Sequence, residues 1–103
     1  MKKKVYVIDI DGVVCKTKNG DYKNATPKKR NIKMINSLHA QGNTIIFFTS
    51  RGKLTGMDWS KLTNYQFKMW KLKHHGIIFG KPFGDVYVDD RAINDKDFFA
   101  KLK

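Results

Sequence analysis

An apolar run rich in β-branched residues, Val5–Ile10, is interrupted only by Asp9 and ends at Asp11-Gly12. This pattern predicts a short strand buried within a sheet. Residues 16–25 are polar around Gly20 and predict an exposed excursion. Thr26-Pro27 then offers an N-cap followed by proline at the first helical position. Ile32, Ile35 and Leu38 recur at helical spacing, and Gly42 ends that helix. "TIIFFTSRG" (44–52) predicts a second buried strand running into a turn, with an irregular stretch over 53–59. Leu62, Tyr65, Met69 and Leu72 predict a second helix from about Ser60 to His75, closed by Gly76. "IIF" (77–79) and "VYV" (86–88) predict two further short strands, and no fifth is evident after Asp90. Strands alternating with helices imply an α/β fold with a short, mostly parallel sheet, whose chemistry lies at the carboxyl ends of the strands.

Composition narrows the setting. The 103 residues make one domain, 1–103, without repeats, linkers or low-complexity segments. With 41% hydrophobic and 13% aromatic residues, the chain can pack a core and is not disordered. Cys15 is the single cysteine, so no internal disulfide forms. No apolar stretch reaches membrane-spanning length and no signal peptide is evident, which makes a cytoplasmic location the expectation. Lys and Arg number 21 against 9 acids, all aspartate, for a net charge of +12. Such a charge favours anionic partners. The lysines are scattered rather than blocked, so a solvated lysine coat explains them as well as nucleic acid does.

The strand ends carry the chemistry. Asp9 and Asp11 close the first strand, Thr49, Ser50 and Arg51 the second; Lys81 follows the third, and Asp89 and Asp90 end the fourth. Parallel strands bring these groups to one edge of the sheet. Four carboxylates there require a cation, and hard oxygen donors without thiolates point to Mg²⁺. Lys81 and Thr49 supply an ammonium and a hydroxyl for phosphoryl oxygens.

"VYVIDIDGVV", "IIFFTSR", "FGKP" and "VYVDD", in this order, resemble the four motifs of the haloacid dehalogenase-like superfamily of phosphohydrolases. Within it, "TSRGKLTGMDW" and "IIFGKPFGDVYVDDRAI" resemble small capless proteins found with capsule and surface-polysaccharide genes. The resemblance implies a Rossmannoid three-layer fold and an aspartyl-phosphate mechanism. In that mechanism Asp9 is the nucleophile, and Asp11 protonates the leaving oxygen and later activates water. Thr49 binds phosphoryl oxygens and Lys81 neutralises their charge. Asp9, Asp11 (through its carbonyl), Asp89 and Asp90 are the implied Mg²⁺ set, with Asp90 acting through water or by holding a neighbour. Gly12, Ser50, Arg51 and Lys53 lie where a substrate would touch the chain, the glycine serving a tight backbone turn. The family's usual cap domain has no room between Asp11 and Thr49 or between Thr49 and Lys81.

A sugar phosphate or related small phosphorylated metabolite is the expected substrate, with no membrane partner. A rival reading keeps the fold but targets 3′-phosphorylated nucleic-acid ends, which the basic charge favours. A second rival is a phospho-accepting receiver domain, which lacks here its isolated mid-chain aspartate. A third is a non-catalytic phospho-ligand binding module. Asp58, Asp95 and Asp97 read as solvated or helix-capping, and Cys15 as packing. His74-His75 reads as complementing a helix C-terminus, and Trp59 and Trp70 as core or interface. A short sheet with unpaired edges and no cap predicts a homo-oligomer whose neighbouring subunit roofs the site.

Overall fold

A computed structural model describes residues 2–102. Three strands, β1 (Val5–Asp9), β4 (Thr44–Thr49) and β5 (Gly76–Phe79), form a parallel sheet in the order β1-β4-β5. Helix α1 (Lys29–Ala40) connects β1 to β4, and α2 (Ser60–Met69) connects β4 to β5. A two-residue antiparallel ribbon of β2 (Cys15–Lys16) and β3 (Thr26–Pro27) ties down the base of the 16–25 excursion. Helix α3 (Asp95–Lys101) closes the described chain. The protein is thus α/β, as expected. No helix among the described residues is long and apolar enough to cross a membrane.

Both crossovers step the same way across the sheet. With the usual right hand, that places α1 and α2 on one face. Packing agrees: Ile32, Ile35 and Leu38 of α1 share one buried cluster with Ile8, Ile45 and Phe47 of the sheet. Phe67 of α2 meets Phe47 edge-on at 4.9 Å, and Phe98 of α3 lies 5.7 Å from Tyr6. Strand alternation sends Val5, Val7, Ile46, Phe48 and Ile78 to the opposite face. Val5, Val7 and Ile78 are there 66%, 63% and 54% exposed. The molecule has two layers, one sheet and one tier of helices, where three were expected. Its least dimension of 21 Å fits that stacking. A third layer requires the strand order to reverse beyond β1, and no described strand lies there.

Four local expectations also change. Thr26-Pro27 pairs in β3 instead of capping a helix, and α1 begins at Lys29. Helix α2 stops at Met69 because Asn36 takes the chain beyond it. The Asn36 amide donates to the Lys71 carbonyl at 2.9 Å and accepts from the Lys73 N–H at 2.7 Å, with Lys71 at φ +56°. His74 and His75 therefore lie in the approach to β5, where His75 Nδ1 accepts from the Ile45 N–H at 3.0 Å. The buried face of α2 carries Thr63, Gln66 and Phe67, while Tyr65 and Met69 are exposed. Lastly, Val86–Val88 pairs with no strand among the described residues, and Val88 is 92% exposed.

Candidate active site

Asp9 is the last residue of β1, and the central strand β4 ends beside it at Thr49. One carboxylate oxygen of Asp9 accepts from the Ile10 N–H at 2.8 Å, which fixes the side chain's rotation. The other faces Lys81 Nζ at 3.3 Å. Lys81 gets there because its N–H and that of Gly80 both donate to the Thr49 carbonyl, at 3.0 and 3.1 Å, which turns the chain across the strand ends. Its ammonium also lies 4.2 Å from the centre of the Tyr87 ring. Asp9 and Lys81 thus come together as the sequence predicts, with the Thr49 backbone beside them. The Thr49 hydroxyl is buried and accepts from the Arg51 N–H at 3.1 Å, which leaves its own proton for another acceptor.

Asp11 behaves differently. Arg51 grips it with two hydrogen bonds, Nε to Oδ2 and Nη2 to Oδ1, both 2.9 Å. The Thr17 hydroxyl donates to Oδ1 as well. Burial by itself raises the pKa of this carboxyl, but the Arg51 and Thr17 hydrogen bonds outweigh it and hold Asp11 below the usual carboxylate value. Arg51 is buried, and its remaining donors reach Thr63 Oγ1 at 3.0 Å and Gln66 Oε1 at 2.6 Å. The Tyr22 ring stacks 4.8 Å from the guanidinium. Arg51 was expected to touch substrate; with its donors spent inside the protein, it braces Asp11 instead.

The other expected contacts are spread around this pair. Gly12 is exposed at φ +88°, and its carbonyl accepts from Lys28 Nζ at 2.8 Å. The Ser50 carbonyl accepts from the Lys53 N–H at 2.9 Å, closing the turn after β4. Gly52 has no substitute there: at φ +82° an added Cβ would lie 2.1 Å from the Met57 carbonyl oxygen. Lys53 is exposed on the rim of a recess of about 280 Å³, lined also by Gly52, Met57, Trp59, Phe79 and Gly80. Gly80 in its lining immediately precedes Lys81 in the chain, while Asp9 and Lys81 themselves do not line it. Asp89 and Asp90 stay outside. Both are exposed, and Asp89 only accepts from the Arg91 N–H at 2.8 Å in a local turn. No three Asp, His or Cys side chains converge on a common point among the described residues. Of the expected Mg²⁺ set, Asp9 rests on Lys81 and the Ile10 N–H, and Asp89 and Asp90 lie on the exposed segment.

Sequence reasoning missed the polar knot of Asp11, Thr17, Arg51, Thr63 and Gln66. Its signal was present: Thr63 and Gln66 share a helix face three residues apart and interrupt the apolar stripe, and a buried arginine needs such acceptors. Cys15 packs as expected. Its thiol is buried, and burial pushes its pKa up to about 11.

No family model and no curated protein matches the chain. Among solved structures it is similar to a crystal structure of a structural-genomics target from Vibrio cholerae. The TM-score is 0.84 at 23% identity, over 98% of this chain and 96% of that one. At this identity the likeness is one of fold.

Proposed function

We propose that the chain is a capless, haloacid dehalogenase-like phosphatase that hydrolyses the phosphomonoester of a sugar or related small metabolite. The observation that carries this reading is the Asp9–Lys81 pair, 3.3 Å apart at the end of β1 with Thr49 on the adjoining strand end. A carboxylate steered by a backbone N–H and faced by an ammonium suits nucleophilic attack on a phosphate that needs its charge neutralised. Asp9 Oδ2 bonds to phosphorus while the bond to the alcohol oxygen breaks, and the alcohol departs with a proton. Water then attacks the aspartyl-phosphate, releasing inorganic phosphate and restoring Asp9. In this reading Asp11 gives and takes that proton, and it rests as an anion on Arg51. Acting as an acid requires this pair to open during turnover. Mg²⁺ belongs to the proposal as the ion that Asp9 would hold together with Asp89 and Asp90, screening the attack of one anion on another.

The test is phosphate release from sugar phosphates, nucleotides and a 3′-phosphorylated oligonucleotide, each with Mg²⁺ and with EDTA. Mg²⁺-dependent release from sugar phosphates is expected. Preference for the oligonucleotide would move the substrate class to nucleic-acid ends, as the net charge of +12 allows. Release from none would sink the enzyme reading.

A further inference from the structure

Two features of the fold answer each other. Among the described residues the outer edge of β1 has no partner, since β4 lies on its other side. Residues 86–88, "VYV", have the composition of a strand yet pair with nothing, and Val86 and Val88 are 78% and 92% exposed. An open edge and an unpaired strand-forming segment on one molecule are a template and its complement.

Within one chain the two cannot meet in parallel. Residues 80–85 alone join the end of β5 to Val86, whereas a crossover between parallel strands takes about a dozen residues or more. Between two chains this limit disappears. We propose that residues 82–90 of one copy dock on the outer edge of β1 in a second copy, reciprocally, so that each active site is completed by the other chain.

Charge favours the contact. Residues 82–90 contain Asp85, Asp89 and Asp90 and no lysine or arginine, while the chain as a whole carries +12 and Lys2-Lys3-Lys4 leads into β1. An acidic arm beside the basic start of β1 in another copy places opposite charges at the contact, against the repulsion between the two basic bodies. Side-chain alternation fits as well. With Asp89 level with Asp9, Val86 and Val88 fall beside Tyr6 and Ile8 on the helix-covered face, and Tyr87 falls beside Val7 on the open one. Both valines become buried, and Asp89 comes level with Asp9 at the strand ends. Both ends of the arm stay anchored, at Lys81 by Thr49 and Asp9 and at α3 by Tyr6. A pair of loops, rather than a swapped terminus, crosses the two-fold axis. The parallel sense and the shared site rest on the phosphatase reading; the exchange itself rests on the edge and the arm.

Light scattering at micromolar concentration separates the two. Wild type is expected as a dimer, and Val88→Pro, which removes a strand N–H, as a folded monomer by circular dichroism. Val88→Asp is expected to do the same. A monomeric wild type, or dimers unaltered by both substitutions, overturns the exchange whether or not phosphate is released. Complementation then tests the shared site. Asp9→Asn and Asp89→Asn chains are each inactive alone, and co-refolding them in equal amounts is expected to restore about a quarter of wild-type activity, since half the dimers are mixed and each holds one intact site. No recovery in mixtures that form dimers overturns the sharing of the site. Wild-type dimers that release no phosphate from any substrate would leave the exchange standing and remove the phosphatase.

Discussion

The two acidic pairs of this chain live in opposite conditions. Asp9 and Asp11 sit at the end of a paired strand. Asp9 is fixed by a backbone N–H and Lys81, and Asp11 is clamped by Arg51 and Thr17. Asp89 and Asp90 lie on an exposed segment whose contacts are local: an Asx turn, and Tyr87 bonded to Pro82 and Gly84. Sequence motif and apolar flank are alike in the two regions, "VIDID" against "VYVDD". What differs is whether the flanking strand has a neighbour. A carboxylate is placed by the hydrogen-bonded strand beneath it, and an unpaired strand places nothing.

Breaking the anchored pair at its reactive member gives the largest expected effect. Asp9→Asn keeps the shape and the Ile10 contact but cannot form an acyl phosphate, so phosphate release is expected to fall by roughly 10⁴-fold or more. Thermal unfolding of the same variant checks that the fold survives. Substantial turnover by a folded Asp9→Asn protein would assign the nucleophile elsewhere.

The brace comes next. Arg51→Ala leaves Asp11, Thr63 and Gln66 without their buried donor and is expected to lower unfolding stability by about 3 kcal/mol or more. Arg51→Lys rescues little, because one ammonium does not replace a bidentate fork. Asp85→Ala, in the exposed segment, is expected to stay within about 0.5 kcal/mol of wild type. Urea denaturation of the three variants measures the contrast, and similar losses for Arg51→Ala and Asp85→Ala would erase it.

How much of this was legible follows the same division. β1, β4, β5 and the apolar stripe of α1 read correctly because their apolar residues pack against one another in the order the chain supplies them. Asp9, Thr49 and Lys81 were legible for the same reason: each is fixed to the end of a paired strand. The end of α2 was not, because Asn36 on another helix decides it. Nor was the buried face of α2, since Thr63 and Gln66 belong inside only once Arg51 is known to be there. The 86–88 segment reads as a strand on composition alone, but pairing depends on a partner strand that its own chain does not bring alongside. Helix α3 went unread although Asn94, Asp95 and Asp97 mark its start, with Asn94 accepting from the Lys96 N–H at 3.0 Å. It is only seven residues long, too short for periodicity to show.

A smaller effect sharpens the description of Asp11. Its folded pKa is depressed, so its contribution to stability is present above the unfolded carboxyl value and lost as pH falls through the folded one. Wild type is expected to lose stability as pH falls below the ordinary carboxylate value of about 4 more steeply than Asp11→Asn, which lacks the titrating group. Denaturant midpoints across that range test it, and parallel curves would mean the pair contributes nothing to acid stability.

The mildest probe leaves the fold untouched and reads the two regions in one molecule. Cys15 lies in the anchored half, its sulfur 3.5 Å from Asp11 Oδ1 and 3.8 Å from the Ile10 carbonyl. Burial keeps its thiol protonated up to about pH 11, and the Thr17 and Arg51 contacts offset this only in part. Thiolate is the reactive form, so at neutral pH Cys15 is expected to react with a disulfide reagent at least about a hundredfold more slowly than an exposed cysteine. Ile93→Cys places such a cysteine on the exposed chain just beyond residues 82–90. One protein then carries both thiols, and labelling is expected in two phases, the slow one becoming fast in urea. Because the folded pKa is raised, the thiol's contribution to stability is complete below about pH 9 and fades as pH rises towards about 11. A single fast phase in the native protein would show that the Asp11–Arg51 knot opens readily. The contrast between the two regions would then lie in frequency of opening rather than in structure.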